Sequence, residues 1–164
     1  MSRERIGMRL LSRNHDGCTF LIGKKARRIL LELVQRYPVT SASYQRERTE
    51  ALKIVPDGET ELLEEALGQA RKQNRRELET ILKNPDSWAE DKRGIQLSLT
   101  PEHLEIMLQI LNDVRVGSWV RLGCPTDLES PTTVNISEDN IELAWAINMA
   151  AWFQMGFLEA QKRG

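Results

Sequence analysis

The last stretch of the chain, Ser137 to about Arg163, constrains the fold more than any other. Between Leu143 and Leu158 it carries no ionised side chain, and its clearly polar members are Asn148 and Gln154. At roughly 100° per residue, Ile141, Ala144, Trp145, Trp152 and Met155 form one apolar face. Ala146, Ala150, Phe153 and Phe157 form a second, and Leu143, Ile147, Ala151 and Leu158 lie between them. A helix apolar all round is a core helix, a membrane span, or a helix shared between a core and an interface. The run is shorter than the ~20 residues a bilayer needs, so the membrane reading falls. Burial within one domain and burial against a second copy remain, and for the second Ala146, Ala150, Phe153 and Phe157 are the expected contact residues. Ser137 is the expected N-cap. Glu138, Asp139, Lys162 and Arg163 complement the helix dipole at its two ends.

Composition agrees with an ordinary domain. A chain of 164 residues, 40% hydrophobic and 29% charged, buries about two thirds of its unfolded surface and needs neither metal nor disulfide to fold. The expectation is one domain, 1–164. Cys18 and Cys124 are far apart and outside any CxxC spacing, which points to a reducing compartment. The opening MSRERIGMRL lacks the apolar region of a signal peptide, so the expected location is the cytoplasm. The net charge of −1 hides an asymmetry: residues 1–48 hold 11 Lys and Arg against 4 Asp and Glu. Such a basic third reads as a solvated face complementing the acidic remainder, or as a surface for nucleic acid or an acidic partner.

Taken in order, Ile6, Met8 and Leu10 alternate, Asn14-His15-Asp16-Gly17 forms a turn, and Cys18 to Ile22 is β-prone, which together make a hairpin. Lys24 to Tyr37 has helical spacing and ends at Pro38. Pro38 to Pro56 reads as loop with a short helix inside it. Asp57-Gly58 opens a long helix to about Lys83, polar on every side from Arg71 to Arg76, so a projecting helix is expected. A charged loop containing Trp88 leads to the alternating strand Ile95 to Leu99. Phe20 to Val34 matches Leu97 to Leu111 at one constant offset; this is either two βα units in one small sheet or chance likeness between amphipathic helices.

Thr100-Pro101 is an N-cap followed by proline at the first helical position, and Gly123 stops the helix after Leu122. Leu104, Met107, Leu108, Leu111, Trp119 and Leu122 make its expected core stripe, with Arg115 and Ser118 inside it. Ile106, Ile110 and Gly117 lie on the other side, flanked by Asp113 and Arg121. An arginine aimed into a core needs a carboxylate, helix-end carbonyls or a bound anion. Asn112, Asp113, Arg115 and Arg121 are therefore expected to form a polar network fixing two helices, or an anion or peptide-carboxylate site built on the two arginines.

The segment Leu111-Asn112-Asp113-Val114-Arg115-Val116-Gly117-Ser118-Trp119-Val120-Arg121-Leu122-Gly123 resembles the signature of an uncharacterised bacterial family. That family, best known from actinobacteria, is designated domain of unknown function two-zero-one-seven. Its signature reads Leu-Asn-Asp-Leu-Arg, a small-residue step, then Arg-Leu-Gly. The order of elements agrees along most of the chain, while the residue match covers about a dozen positions. The chain departs from the family in Pro38 to Pro56 and at Trp119, where a small residue is usual. The resemblance implies an N-terminal hairpin, an acidic-to-basic middle helix, a strand before the signature and a Trp-containing last helix. It brings no activity; the family's genes often lie near that of the Clp protease adaptor, which implies a link to protein quality control.

No GxGxxG, P-loop, HExxH or nucleophile elbow occurs. Cys124 and His103 lie about a helix length apart and do not read as a dyad, and Trp145 and Trp152 read as core. The expected fold is α+β, mainly α-helical, with about four helices and a small antiparallel sheet made of the N-terminal hairpin plus one strand. The expected function is that of a non-catalytic regulatory or adaptor-type protein acting by protein–protein contact, as a homodimer through the last helix, without cofactor or metal. The alternatives are nucleic-acid binding through the basic third and a small anion-binding module.

Overall fold

Two segments of alternating sequence set the sheet. Cys18, Phe20 and Ile22 of one, and Ile95, Leu97 and Leu99 of the other, are all buried, while the residues between them are only half-buried. The computed structural model describes residues 7–39, 60–123, 137–138 and 140–162. Their order is β1 (Met8–Asn14), β2 (Gly17–Ile22), α1 (Lys24–Gln35), α2 (Thr60–Lys83), β3 (Trp88–Asp91), β4 (Gly94–Leu99), α3 (Pro101–Arg121) and α4 (Ile141–Lys162). The class is α+β and mainly helical, with four helices among the described residues. The sheet has four strands in the order β1-β2-β4-β3, antiparallel throughout. The extra strand corrects the expected hairpin plus one. Trp88-Ala89-Glu90-Asp91 has a single large apolar residue and no readable alternation, and it is extended because it pairs with β4.

The repeated pattern in the sequence has a structural counterpart. Phe20 pairs with Leu97 at the sheet centre, and Cys18 pairs with Leu99 as Ile22 pairs with Ile95. Exchanging each residue for its offset counterpart (Phe20 for Leu97, Cys18 for Ile95, Ile22 for Leu99) maps these pairs onto one another, a local two-fold relation in register. The hairpins correspond too. Ser12, Arg13 and Asn14 face Thr19, Cys18 and Gly17, as Ala89, Glu90 and Asp91 face Gln96, Ile95 and Gly94, until a bulge between Leu10 and Ser12 ends the match. Both turns are built alike. Asn14 Oδ1 accepts the Asp16 N–H at 2.8 Å, and Asp91 Oδ1 accepts the Arg93 N–H at 2.6 Å. The Gln96 amide and the Arg93 N–H together hold the Asp91 carboxyl below the usual carboxylate range. Each turn ends in a glycine at positive φ, Gly17 at 131° and Gly94 at 150°.

The helices pack over the inward side of the sheet, with α3 at the centre, touching α1, α2, α4, β2 and β4. Thr100 caps α3 as expected, its hydroxyl accepting the His103 N–H at 3.1 Å. The buried stripe of α3 is Leu104, Met107, Ile110, Leu111, Val114, Gly117 and Ser118, rotated from the expected one. Leu108, Trp119 and Leu122 are only half-buried and Arg115 is exposed. The helix is apolar on most sides, so its own sequence does not fix which side faces inward. On α2, Leu78 and Ile81 are buried and the first half stands largely clear of the core. α4 begins at Ile141 rather than at a Ser137 cap: Asn140 Oδ1 accepts the Ser137 N–H at 2.7 Å, and the Ile141 N–H closes the turn onto Ser137 O. No helix among the described residues is long and apolar enough to cross a membrane.

Candidate functional site

Ala146, Ala150, Phe153 and Phe157 are each 0% exposed, which corrects their expected place at an interface. They form the side of α4 that enters the core. Phe157 meets Phe20 of β2 edge-on at 5.2 Å and Phe153 at 6.4 Å. Burying rings of this size contributes ~1.5–3 kcal/mol each, so this face is committed to the protomer. The opposite side carries the exposed apolar surface. Ile141 is 55% exposed, Met155 64% and Leu158 42%, on one stripe with the half-buried Ala144, Trp145, Ala151 and Trp152. The two tryptophans are fixed from below and from the side. Trp152 stands edge-on to Phe153 at 4.8 Å, and the Arg36 guanidinium lies 5.5 Å from the Trp145 ring and 3.9 Å from Glu142. Beside that stack is a groove of about 270 Å³, lined by Glu32, Arg36, Ile141, Glu142 and Trp145. A tryptophan and an arginine held rigid beside exposed aliphatic residues, with charge at the edge, is the make-up of an interface anchor. Arg36 was not foreseen here, because nothing in the sequence brings residue 36 beside residue 145.

The polar residues of α3 divide into two groups. Asp113 is nearly buried: its Oδ1 accepts the Val39 N–H at 2.6 Å and its Oδ2 lies 3.9 Å from Arg71 of α2. Arg75 donates to the Tyr37 carbonyl, and the Asn74 amide donates to Gln109 at 3.1 Å. Burial, with the Asp113 charge adding to it, pushes the Tyr37 phenol above its ordinary value of 10.0. This network ties residues 37–39 and α2 to α3. Arg71 and Arg75 are thus engaged, within the stretch from Arg71 to Arg76 that is polar on every side and was expected to project. Asn112, Arg115 and Arg121 are exposed, and Arg115 donates to Asn112 Oδ1 at 3.1 Å. Arg115 therefore does not enter the core, which corrects the sequence expectation. Six residues apart, Arg115 and Arg121 lie roughly 120° apart around the helix and about 9 Å apart along it, so the two do not converge on one anion.

Elsewhere, the described residues hold no group of three metal-ligating side chains. His15 and Asp16 form an exposed pair at 3.3 Å, and His103 of α3 meets Glu77 of α2 at 3.5 Å. Cys18 is buried as a free thiol, and Cys124 lies outside the described residues. In the basic third, Arg27 stacks on Trp88 at 5.3 Å as Arg36 does on Trp145. Comparison with protein families, curated proteins and solved structures finds nothing that matches this chain.

Proposed function

We propose that the protein is a non-catalytic, adaptor-type module that acts by protein–protein contact and self-associates through the outward stripe of α4. The observation that carries this reading is the exposure of Ile141, Met155 and Leu158 along one line of a helix whose other side fills the core. An apolar stripe left in water marks an interaction surface more often than chance exposure does. Charge favours a second copy as the occupant. Glu142 stands at one end of the helix and Lys162 at the other, so two antiparallel copies bring Glu142 of each opposite Lys162 of the other, a two-fold, self-complementary contact. The likeness of residues 111–123 to the bacterial family described above adds protein quality control as the setting.

The test is solution mass by light scattering. The wild type is expected at twice the mass of one chain, and Met155→Glu with Leu158→Glu at the single mass with an unchanged circular dichroism spectrum. Each substitution is expected to weaken association by about 2 kcal/mol, roughly thirtyfold. A wild type of single mass, or a double variant that stays dimeric, refutes the self-association.

A further inference from the structure

A second feature lies away from α4, at the end of the sheet where the β1–β2 turn, the α2–β3 turn and the start of α3 meet. A cleft of about 280 Å³ opens there, lined mostly by residues with polar side chains, with Gly17, Cys18 and Leu99 among them. Ser12 pairs with Thr19 and Thr19 with Ser98 across three strands, the Ser98 N–H donates to Ser87 O at 2.9 Å, and the Thr19 and Ser98 hydroxyls are 3.2 Å apart. Four hydroxyl residues thus follow one another across the sheet at the mouth of the cleft.

Ser87 is the informative member. It is 4% exposed, and its hydroxyl makes no hydrogen bond within the described residues, although it is not among the fully enclosed unpartnered atoms. Its hydroxyl therefore opens to the cleft, with its donor and acceptor capacity unspent within the described residues. The two turns add donors. Asn14 and Asn84 spend their side-chain oxygens on the Asp16 and Asp86 N–H groups at 2.8 and 3.0 Å, which leaves both NH₂ groups to donate.

The fold does not need these hydroxyls. In the two-fold-related half, the positions corresponding to Ser12, Thr19 and Ser98 are occupied by Ala89, Gln96 and Leu21, on the counterpart strands in the same register. The row is a feature of one half only, placed on a framework that accepts other side chains.

We propose that this cleft binds a neutral, hydroxyl-rich small molecule of monosaccharide size. The charge pattern selects the class. No lysine or arginine lines the cleft while Asp16 and Asp86 do, and its histidine, His103, faces Glu77 at 3.5 Å, so the side-chain charge there does not favour an anion. The described residues offer no three-ligand group for a metal ion, and the lining holds no Phe, Tyr or Trp, while its large aliphatic residue, Leu99, is itself buried. Hydroxyls, amide NH₂ groups and carboxylate oxygens, mixed donors and acceptors at close spacing, match vicinal hydroxyl pairs. The volume lies near the lower end of small-molecule sites, which run from ~300 Å³ upward, and so suits one ring.

The test is an amide NMR titration of the full isotope-labelled chain with methyl α-D-glucopyranoside and myo-inositol, beside inorganic phosphate and spermidine. Saturable shifts of the Ser12, Thr19, Ser87 and Ser98 amides with one of the two polyols, at a Kd on the order of 1 mM, support the site. Ser87→Ala and Ser98→Ala are then expected to weaken binding about tenfold each. The proposal is overturned by no saturable shift with either polyol, by phosphate or spermidine acting as strongly, or by both variants binding like the wild type. The wild-type titration decides even if a variant misfolds.

Discussion

Asp113 and Tyr37 show how single polar groups position whole elements. Asp113 takes the backbone N–H of Val39 and faces Arg71, and the Tyr37 carbonyl takes Arg75, so two residues of the segment after α1 are held from α2 and α3 at once. The carboxylate and the phenol share this site, and the phenol is kept protonated by burial. A group whose folded pKa is raised contributes stability that is complete below its unfolded value and is lost as pH rises through the folded one. The protein is therefore expected to lose urea resistance as pH climbs above 10.0. Tyr37→Phe should flatten that decline, seen as denaturation midpoints measured across the alkaline range; an equally steep decline in the variant overturns the assignment. Asp113 was legible as a network residue because a carboxylate flanking an apolar stripe needs a partner. Arg115 was misplaced because the stripe itself was read one step round the helix.

Among the elements, the two hairpins depend on their glycines in a way the third turn does not. A Cβ on Gly17 would collide with the Leu99 carbonyl, and one on Gly94 would come 2.7 Å from the Ile22 carbonyl oxygen. Leu99 and Ile22 are counterparts in the two halves, so the same close approach occurs twice. Gly123, at φ 99°, has nothing within 4 Å of such a Cβ. Gly17→Ala and Gly94→Ala are therefore expected to cost about 3 kcal/mol each, backbone strain plus collision, and Gly123→Ala about 1 kcal/mol, strain alone. Equal losses for all three in chemical denaturation would contradict this. The first turn was visible in Asn14-His15-Asp16-Gly17, and the second, Asp91-Lys92-Arg93-Gly94, follows the same chemistry. It went unread because the strand before it has no apolar alternation.

For the whole molecule, one side of α4 fills the core and the other is exposed, and one pair of substitutions distinguishes them. Phe157→Arg places a charge at a site with no exposure and is expected to cost 4 kcal/mol or more, about the loss for the most damaging core changes, so the chain unfolds. Met155→Glu, on the outward stripe, is expected to leave the melting temperature within a few degrees and change the solution mass instead. Unfolding by Met155→Glu, or a folded Phe157→Arg variant, would mean that the sides are assigned the wrong way round. The polar cleft shares no lining residue with the groove beside that stripe, so the proposed ligand binding and the proposed self-association are separable by mutation.

By itself the sequence determined most of the elements and their class: period-two runs made β2 and β4, and Thr100-Pro101 and Gly123 bounded α3, while the constant offset between Phe20 and Leu97 left two related units and chance likeness both open. These are local properties, set by side-chain spacing, caps and turn chemistry within a few residues. Tertiary structure decided which side of α3 and α4 faces inward, that Trp88-Ala89-Glu90-Asp91 is a strand, and that Arg36 meets Trp145. A helix apolar all round has no preferred side until neighbours supply one, and Phe20, reaching Phe157 from the sheet, supplies it here.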